Sequence, residues 1–312
     1  MKVLVTGGAG FIGRRTVERL VRQGDSVVVV DCAQMSKLPK WGDSVIFYQL
    51  DIASEKLEYV MAAEKPDYVI HLAAQTSVRR SLHDPFGDAG SNIMGTINLL
   101  KQCVSFQVKK IVFSSSAAVY GTPRTVPIQE EHQTEPLSFY GISKLMAERY
   151  IQSFAVHYGL DFTILRYANV YGIREYRTGE DGVITAFIER LVSGLPLIIY
   201  GDGRQTRDFI HVEDVAAANV SALLCGTREI INISSGTGIT LLEVAGILKE
   251  LYGKSIAMQF HLPQNGDIEQ SILCNGKSCD LLGLRPVYSL YEGLQAMLDY
   301  EAGLGVPHIS AI

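Results

Sequence analysis

Short, near-continuous apolar runs alternate with longer stretches whose apolar positions recur every three or four residues. The runs are "KVLVT" (2–6), "SVVVVD" (26–31), "SVIFYQL" (44–50), "DYVIHLA" (67–73), "KKIVFSS" (109–115) and "DFTILR" (161–166). Unbroken Val/Ile/Leu content suits strands buried on both faces, and the intervening periodic stretches at 11–23, 88–106 and 140–158 suit helices. Strand–helix alternation of this kind predicts an α/β fold, a doubly wound parallel sheet of the Rossmann type.

The pattern changes after about residue 170. Helical stretches at 182–193, 240–252 and 289–301 mix with isolated short strands and turns such as "YGDGRQTRD" (200–208). This predicts a first domain over 1–169 and a smaller mixed α/β lobe over 170–312. Some segments, such as 204–224, are expected to return to the first domain.

Composition narrows the classes. Of 312 residues 47% are hydrophobic, enough for a large core, and the net charge of −5 is spread along the chain. No basic stripe argues for nucleic acid and no polybasic tail for a membrane surface. The apolar run after Met1 is too short for a signal peptide, and no stretch is long enough to span a bilayer. The five cysteines are scattered, and Cys274 and Cys279 lack metal-site spacing. They read as reduced thiols of a cytoplasmic protein, mostly buried filler, with no metal site.

Candidate chemistry begins at "TGGAGFIG" (6–13), between the first strand and the first helix. Gly7, Gly10 and Gly13 would let the chain turn tightly, approach a pyrophosphate and pack helix on strand. The helix N-terminus then offers free N–H groups to the anion. Asp31, at the end of the second strand, stands where a carboxylate binds ribose hydroxyls. Cys32, Ala33 and Gln34 follow it, with no Arg for a 2′-phosphate, so NAD is expected over NADP. The bland alternative for Asp31 is a solvated strand-end carboxylate.

In "SFYGISKLMAERY" (138–150), Tyr140 and Lys144 are four apart and share a helix face. That alone fits a solvated pair. The upstream glycines and the hydroxyls of "FSSSAAVYG" (113–121), on the same sheet edge, argue for chemistry instead. Together with "DI" (51–52), "HLAA" (71–74), "LRYANVYG" (165–172) and "RDFIHVEDV" (207–215), these motifs resemble the extended short-chain dehydrogenase/reductase family over almost the whole chain. Within its nucleotide-sugar branch the chain is most similar to UDP-glucose 4-epimerases and their UDP-N-acetylglucosamine relatives.

The resemblance implies roles. Tyr140 would remove a sugar hydroxyl proton while NAD takes the hydride from the same carbon. A free Tyr titrates near 10, so a base useful near pH 7 needs a shift of roughly 3 units, about 4 kcal/mol. Lys144 and the nicotinamide would supply it by favouring phenolate, and Lys144 would also hold the nicotinamide ribose. Ser116 would bind the reacting sugar oxygen, leaving Ser114 and Ser115 as strand-end residues facing backbone. Gly7, Gly10, Phe11, Ile12 and Gly13 would hold the cofactor with Asp31. Asp51 and Ile52 would meet the adenine. Leu72, Ala73 and Ala74 would line the groove, and Asn92 and Tyr167 would add contacts. On the substrate side, Asn169, Arg207 and Asp267 would serve the UDP end, and Tyr200 would lie against the uracil.

The same resemblance bears on the reaction. Dehydratases of this branch carry an Asp-Glu pair where this chain has Ala117 and Ala118, so elimination lacks its acid and base. What remains is 4-epimerisation of a UDP-hexose by transient oxidation at C4. A UDP-uronate epimerase, a reductase or a non-catalytic nucleotide-sugar sensor are the alternatives. Gln264 stands in place of a diphosphate-binding Arg. Ser271, four residues after Asp267, stands where a small residue admits N-acetylated sugars; its bland reading is a solvent-facing strand residue. A homodimer through the helices at 88–106 and 140–158 is expected.

Overall fold

A computed structural model describes residues 1–34, 41–42, 44–175, 182–263 and 268–303. The chain runs β1 (Lys2–Thr6), α1 (Phe11–Arg22), β2 (Ser26–Asp31), β3 (Val45–Gln49), α2 (Leu57–Glu64), β4 (Tyr68–His71), α3 (Val78–His83), α4 (Pro85–Ala89), α5 (Gly95–Ser105), β5 (Lys110–Ser116), α6 (Phe139–Tyr158) and β6 (Asp161–Tyr167). It continues through β7 (Asn169–Tyr171), α7 (Val183–Val192), β8 (Leu197–Tyr200), β9 (Thr206–His211), α8 (Val212–Ser221), β10 (Glu229–Ile233), β11 (Gly238–Thr240), α9 (Leu241–Tyr252), β12 (Met258–His261), β13 (Gln270–Ser271), α10 (Gly276–Leu282) and α11 (Leu290–Glu301).

Seven parallel strands form the main sheet, in the order β3-β2-β1-β4-β5-β6-β10. Its two faces feed two separate cores, as a strand's two-residue period requires. Val3, Val5, Val27 and Val29 pack on one side, and Leu4, Val28 and Val30 on the other. The strand order reverses between β1 and β4, which opens a crevice at the carboxyl ends of those strands.

The remaining strands build two small sheets. One joins β7, β9, β11 and β13, and the other pairs β8 with β12. A third core, including Tyr171, Phe187, Leu197, Val244 and Leu294, lies under them. The second half of the chain also contributes to the main sheet. Strand β10 pairs with β6, and Val215 and Ala218 of α8 join the same core as Val17 and Leu20 of α1.

Two local readings are corrected. The stretch 88–106 is not one regular helix: α4 and α5 are joined by a π-helical turn over Gly90–Met94. The cysteines are not mostly buried. All five are free, but Cys103 alone is buried, whereas Cys32 and Cys225 are exposed. Among the described residues no group of His, Cys, Asp and Glu could hold a metal. No helix there is long and apolar enough to cross a membrane.

Candidate active site

The glycine loop sits at the crevice, and two of its residues have no room for a side chain. Gly7 has φ +70°, and a Cβ there would lie 2.5 Å from the Ala73 amide nitrogen. A Cβ on Gly13 would collide with the Gly7 carbonyl oxygen. The loop is thereby held against the β4 end, where Leu72, Ala73 and Ala74 lie. Helix α1 starts on Gly10 with no side-chain cap and no acidic residue in its first turn, which leaves its positive end for an anion. Asp31 closes the loop from β2: its carboxylate accepts from the Ala9 amide at 2.9 Å and the Ala33 amide at 2.9 Å. Ile52 is buried against Gly95, while Asp51 is exposed and accepts from the Ala53 amide. These features fit a dinucleotide: a turn only glycine can make, an uncapped helix end, and a carboxylate one strand over.

Beside the crevice, α6 begins at Ser138, whose hydroxyl caps the Gly141 amide at 3.1 Å. Gly141 is required by contact, since a Cβ there would lie 2.6 Å from the Ala118 carbonyl oxygen. This close approach brings Tyr140 to the end of β5, where its phenol comes within the influence of the Ser116 hydroxyl, which itself accepts from the Ala118 amide at 3.2 Å. One turn on, Lys144 is 3% exposed; its Nζ donates to the Ser114 carbonyl at 2.8 Å and lies 4.9 Å from the Phe113 ring centroid. The three residues expected to react are therefore brought together.

The phenol of Tyr140 is pushed above its ordinary value: burial raises it most, the neighbouring Ser116 hydroxyl opposes, and the Asp88 charge raises it further. Burial drags Lys144 down to about 8, opposed by Asp88 and Glu148.

The remaining serines diverge. Ser114 does face backbone, donating to the His71 carbonyl at 3.1 Å. Ser115 does not: its hydroxyl binds the buried Glu148 carboxylate. Asn92, in the π-helical turn, is tied to Gln75, Asp88 and the Ser143 hydroxyl. Tyr167 is buried and donates to Asn219 at 2.6 Å. The polar groups of both residues are thus engaged with protein.

In the small sheet of β7, β9, β11 and β13, Asn169 is exposed on β7 and donates to the Asp208 carbonyl at 3.1 Å. Arg207 projects from β9 and donates to the carbonyls of Thr206 and Ile268. Asp208 is fully buried and binds Ser235, Gly236 and Leu273. Ser271 is the register partner of Arg207 and is half-buried. Tyr200 is 41% exposed, 5.7 Å from the His261 ring. A hollow of about 100 Å³ opens beside Asn169, lined also by Tyr171, Ile184 and Phe209. A larger surface hollow of about 450 Å³, lined by residues including Glu130 and Lys277, contains none of the expected site residues. Gln264 and Asp267 lie outside the described residues.

Sequence reasoning passed over the buried charged residues Asp88, Glu148 and Arg166; Asp88 and Glu148 act on Lys144, and Arg166 pairs with Glu148. Only Glu148 carried a signal, its spacing of four from Lys144.

Residues 3–234 match the model of the NAD dependent epimerase/dehydratase family. The chain belongs to that family. It is 38% identical over 299 residues to a putative UDP-glucose 4-epimerase of Methanocaldococcus jannaschii, covering 96% of this chain and 97% of that one. The UDP-glucose 4-epimerase of Thermotoga maritima, solved with UDP-glucose, superimposes with a TM-score of 0.93 at 40% identity, covering 97% and 99% of the two chains. The Thermus thermophilus UDP-glucose 4-epimerase, solved with NAD, gives 0.89 at 38% identity, with coverage of 97% and 99%. Family membership extends the doubly wound fold and the NAD cofactor from expectation to finding.

Proposed function

We infer that the protein is a nucleotide-sugar 4-epimerase that interconverts UDP-glucose and UDP-galactose. The observation that carries this reading is the convergence of Ser116, Tyr140 and buried Lys144 at the end of β5, with only Ala117 and Ala118 next along the chain. NAD held at the glycine loop would supply a hydride acceptor and donor for sugar C4. The chain handles the proton. Tyr140 takes it from the C4 hydroxyl as the ketone forms and gives it back on reduction. Ser116 hydrogen-bonds that same oxygen, and the Lys144 ammonium holds the nicotinamide ribose. Elimination of water would need a second acid and base, which two alanines cannot supply.

Binding is divided between the halves. Gly7, Gly10, Phe11, Ile12, Gly13 and Asp31 hold the cofactor's pyrophosphate and adenosine ribose, and a carboxylate at Asp31 disfavours a 2′-phosphate. Asp51 and Ile52 meet the adenine, and Leu72, Ala73, Ala74, Asn92 and Tyr167 shape the groove. Asn169, Arg207 and Tyr200 take the UDP, with Asp267 beside them. Ser271, small and paired in register with Arg207, leaves room for an N-acetyl group, so the N-acetylated sugars are substrates too. Five free cysteines fit a reducing compartment such as the cytoplasm. Exposed Leu82, Phe86, Ile142, Met146 and Tyr150 on the neighbouring helices α3, α4 and α6, with Met94 in the π-helical turn, fit the interface of a homodimer.

Purified protein incubated with UDP-glucose and NAD should form UDP-galactose with no net NADH. Steady accumulation of NADH would make it a dehydrogenase, and no turnover of any UDP-sugar would favour a sensor. For the gate, Ser271→Tyr should lose turnover of the N-acetylated pair and keep the plain pair. Equal loss of both would remove the role given to Ser271.

A further inference from the structure

The helix face that carries Tyr140 and buried Lys144 carries another buried polar side chain, one turn further on. Glu148 is 1% exposed, and residues spaced by four stack along one helix face. Its carboxylate accepts from the Ser115 hydroxyl at 2.5 Å, and from Arg166 through Nε at 2.9 Å and Nη2 at 2.6 Å. Ser115 and Arg166 are register partners on β5 and β6, so one carboxylate ties α6 to two adjacent strands. The residues flanking Ser115 both serve the site: the Ser114 carbonyl seats Lys144, and the Ser116 hydroxyl meets Tyr140. Arg166 is fixed from behind. It donates to the Glu130 carbonyl at 3.1 Å and lies 4.7 Å from the Tyr120 ring centroid. The reaction derived above uses none of this cluster.

Stability is a poor reason for such a cluster, because desolvating two charges offsets most of their attraction. Direction is a better one. A bidentate guanidinium fixes the plane of the carboxylate, and the carboxylate then fixes a hydroxyl on the residue before Ser116. We propose that Glu148 is a positioning residue that, braced by Arg166, grips Ser115 and thereby sets the separation between Tyr140 and Ser116. A misplacement of about 1 Å at reacting groups can cost on the order of 10²-fold in rate, so a partial slackening shows in turnover. The charge of Glu148 also opposes the lowering that burial imposes on Lys144.

Ser115→Ala releases the grip and leaves the Glu148–Arg166 pair intact. In NAD-loaded enzyme turning over UDP-glucose, kcat should fall about 10-fold, with KM within about twofold, as expected for slackened positioning. Ser115→Thr, which keeps the hydroxyl, should recover most of the loss. The deciding variant is Ser115→Ala in a Ser116→Ala background: if Ser115 acts through Ser116, the added loss is under about twofold, because coupled residues are not additive. Glu148→Gln leaves the buried Arg166 charge uncompensated and is a riskier fold, so the Ser115 series decides. Unchanged kcat in folded Ser115→Ala, a loss confined to KM, or a full loss added to that of Ser116→Ala would each overturn the proposal. Because this role builds on those given to Ser116 and Tyr140, wild-type turnover is measured first. An inactive wild type sinks the proposed reaction, whereas an active wild type with an indifferent Ser115→Ala sinks only the positioning.

Discussion

Tyr140 and Ser116 come from helix and strand segments more than twenty residues apart in sequence, and the close contact at Gly141 makes them neighbours. Tyr140→Phe keeps the ring and removes the proton acceptor. Bound NAD should stay at wild-type stoichiometry while kcat falls by roughly 10² to 10⁴, the range of general-base catalysis. Near-normal turnover would exclude Tyr140 as the base. Two buried histidines set a different pH dependence. Burial pushes His71 down to about 3 and His211 to about 4, from an ordinary 6.5, with the charges of Lys144 and Arg15 adding to it. His71 is held neutral between the hydroxyls of Thr6 and Thr96. Below about 6.5 the unfolded chain gains protons at these sites and the folded chain does not, so stability falls as pH drops from about 6.5 toward 3. Urea unfolding at pH 7 and pH 5 should show this decline, and a smaller decline in His71→Asn. Identical slopes in both proteins would remove His71 from the account.

At the scale of elements, α1 and α9 make opposite demands on glycine. In α1, a Cβ on Gly13 would strike the Gly7 carbonyl oxygen, so Gly13→Ala should displace the loop and release NAD, read as cofactor content after gel filtration. In α9, Gly246 is exposed with open space around its Cβ position. Gly246→Ala should stabilise the protein by about 0.5–1 kcal/mol in thermal or urea unfolding. NAD retention in Gly13→Ala, or destabilisation by Gly246→Ala, would contradict these placements. Spacing alone could not separate the two glycines, because it does not say which carbonyl lies opposite. The π-helical turn that holds Asn92 was hidden for a related reason. The apolar rhythm of 88–106 runs through it, while its form depends on Asn92 bonding to Gln75, Asp88 and Ser143.

At the scale of the molecule, the apolar stripe Ile142, Met146 and Tyr150 on α6 stays exposed although the opposite face of the helix is buried. Its spacing of four places it on one face, turned away from buried Lys144 and Glu148. A charge at the centre of a buried contact is costly, so Met146→Asp should shift a dimer to monomer by light scattering while leaving the far-UV spectrum unchanged. A wild type that is monomeric at all concentrations would remove the proposed interface. The two halves also interlock: β10 lies against β6, and Val215 and Ala218 of α8 share a core with Val17 and Leu20 of α1.

The sequence by itself determined the parallel sheet, the glycine loop, the carboxylate at the end of β2 and the Tyr–Lys pair. All of these rest on local spacing: two-faced apolar strands, glycines ahead of a helix, and side chains four apart on one face. Tertiary structure decided what depends on contacts between distant segments. It placed residues 229–233 beside β6, and bound Ser115 to Glu148 rather than to backbone. It also turned Asp208 inward to a buried loop and left most cysteines outside the core. It seated the Lys144 ammonium on the Ser114 carbonyl, a partner that helix spacing does not specify. A spacing can say which groups share a face; which partner each group finds, and how much water it loses in doing so, is fixed only when the strands close around it.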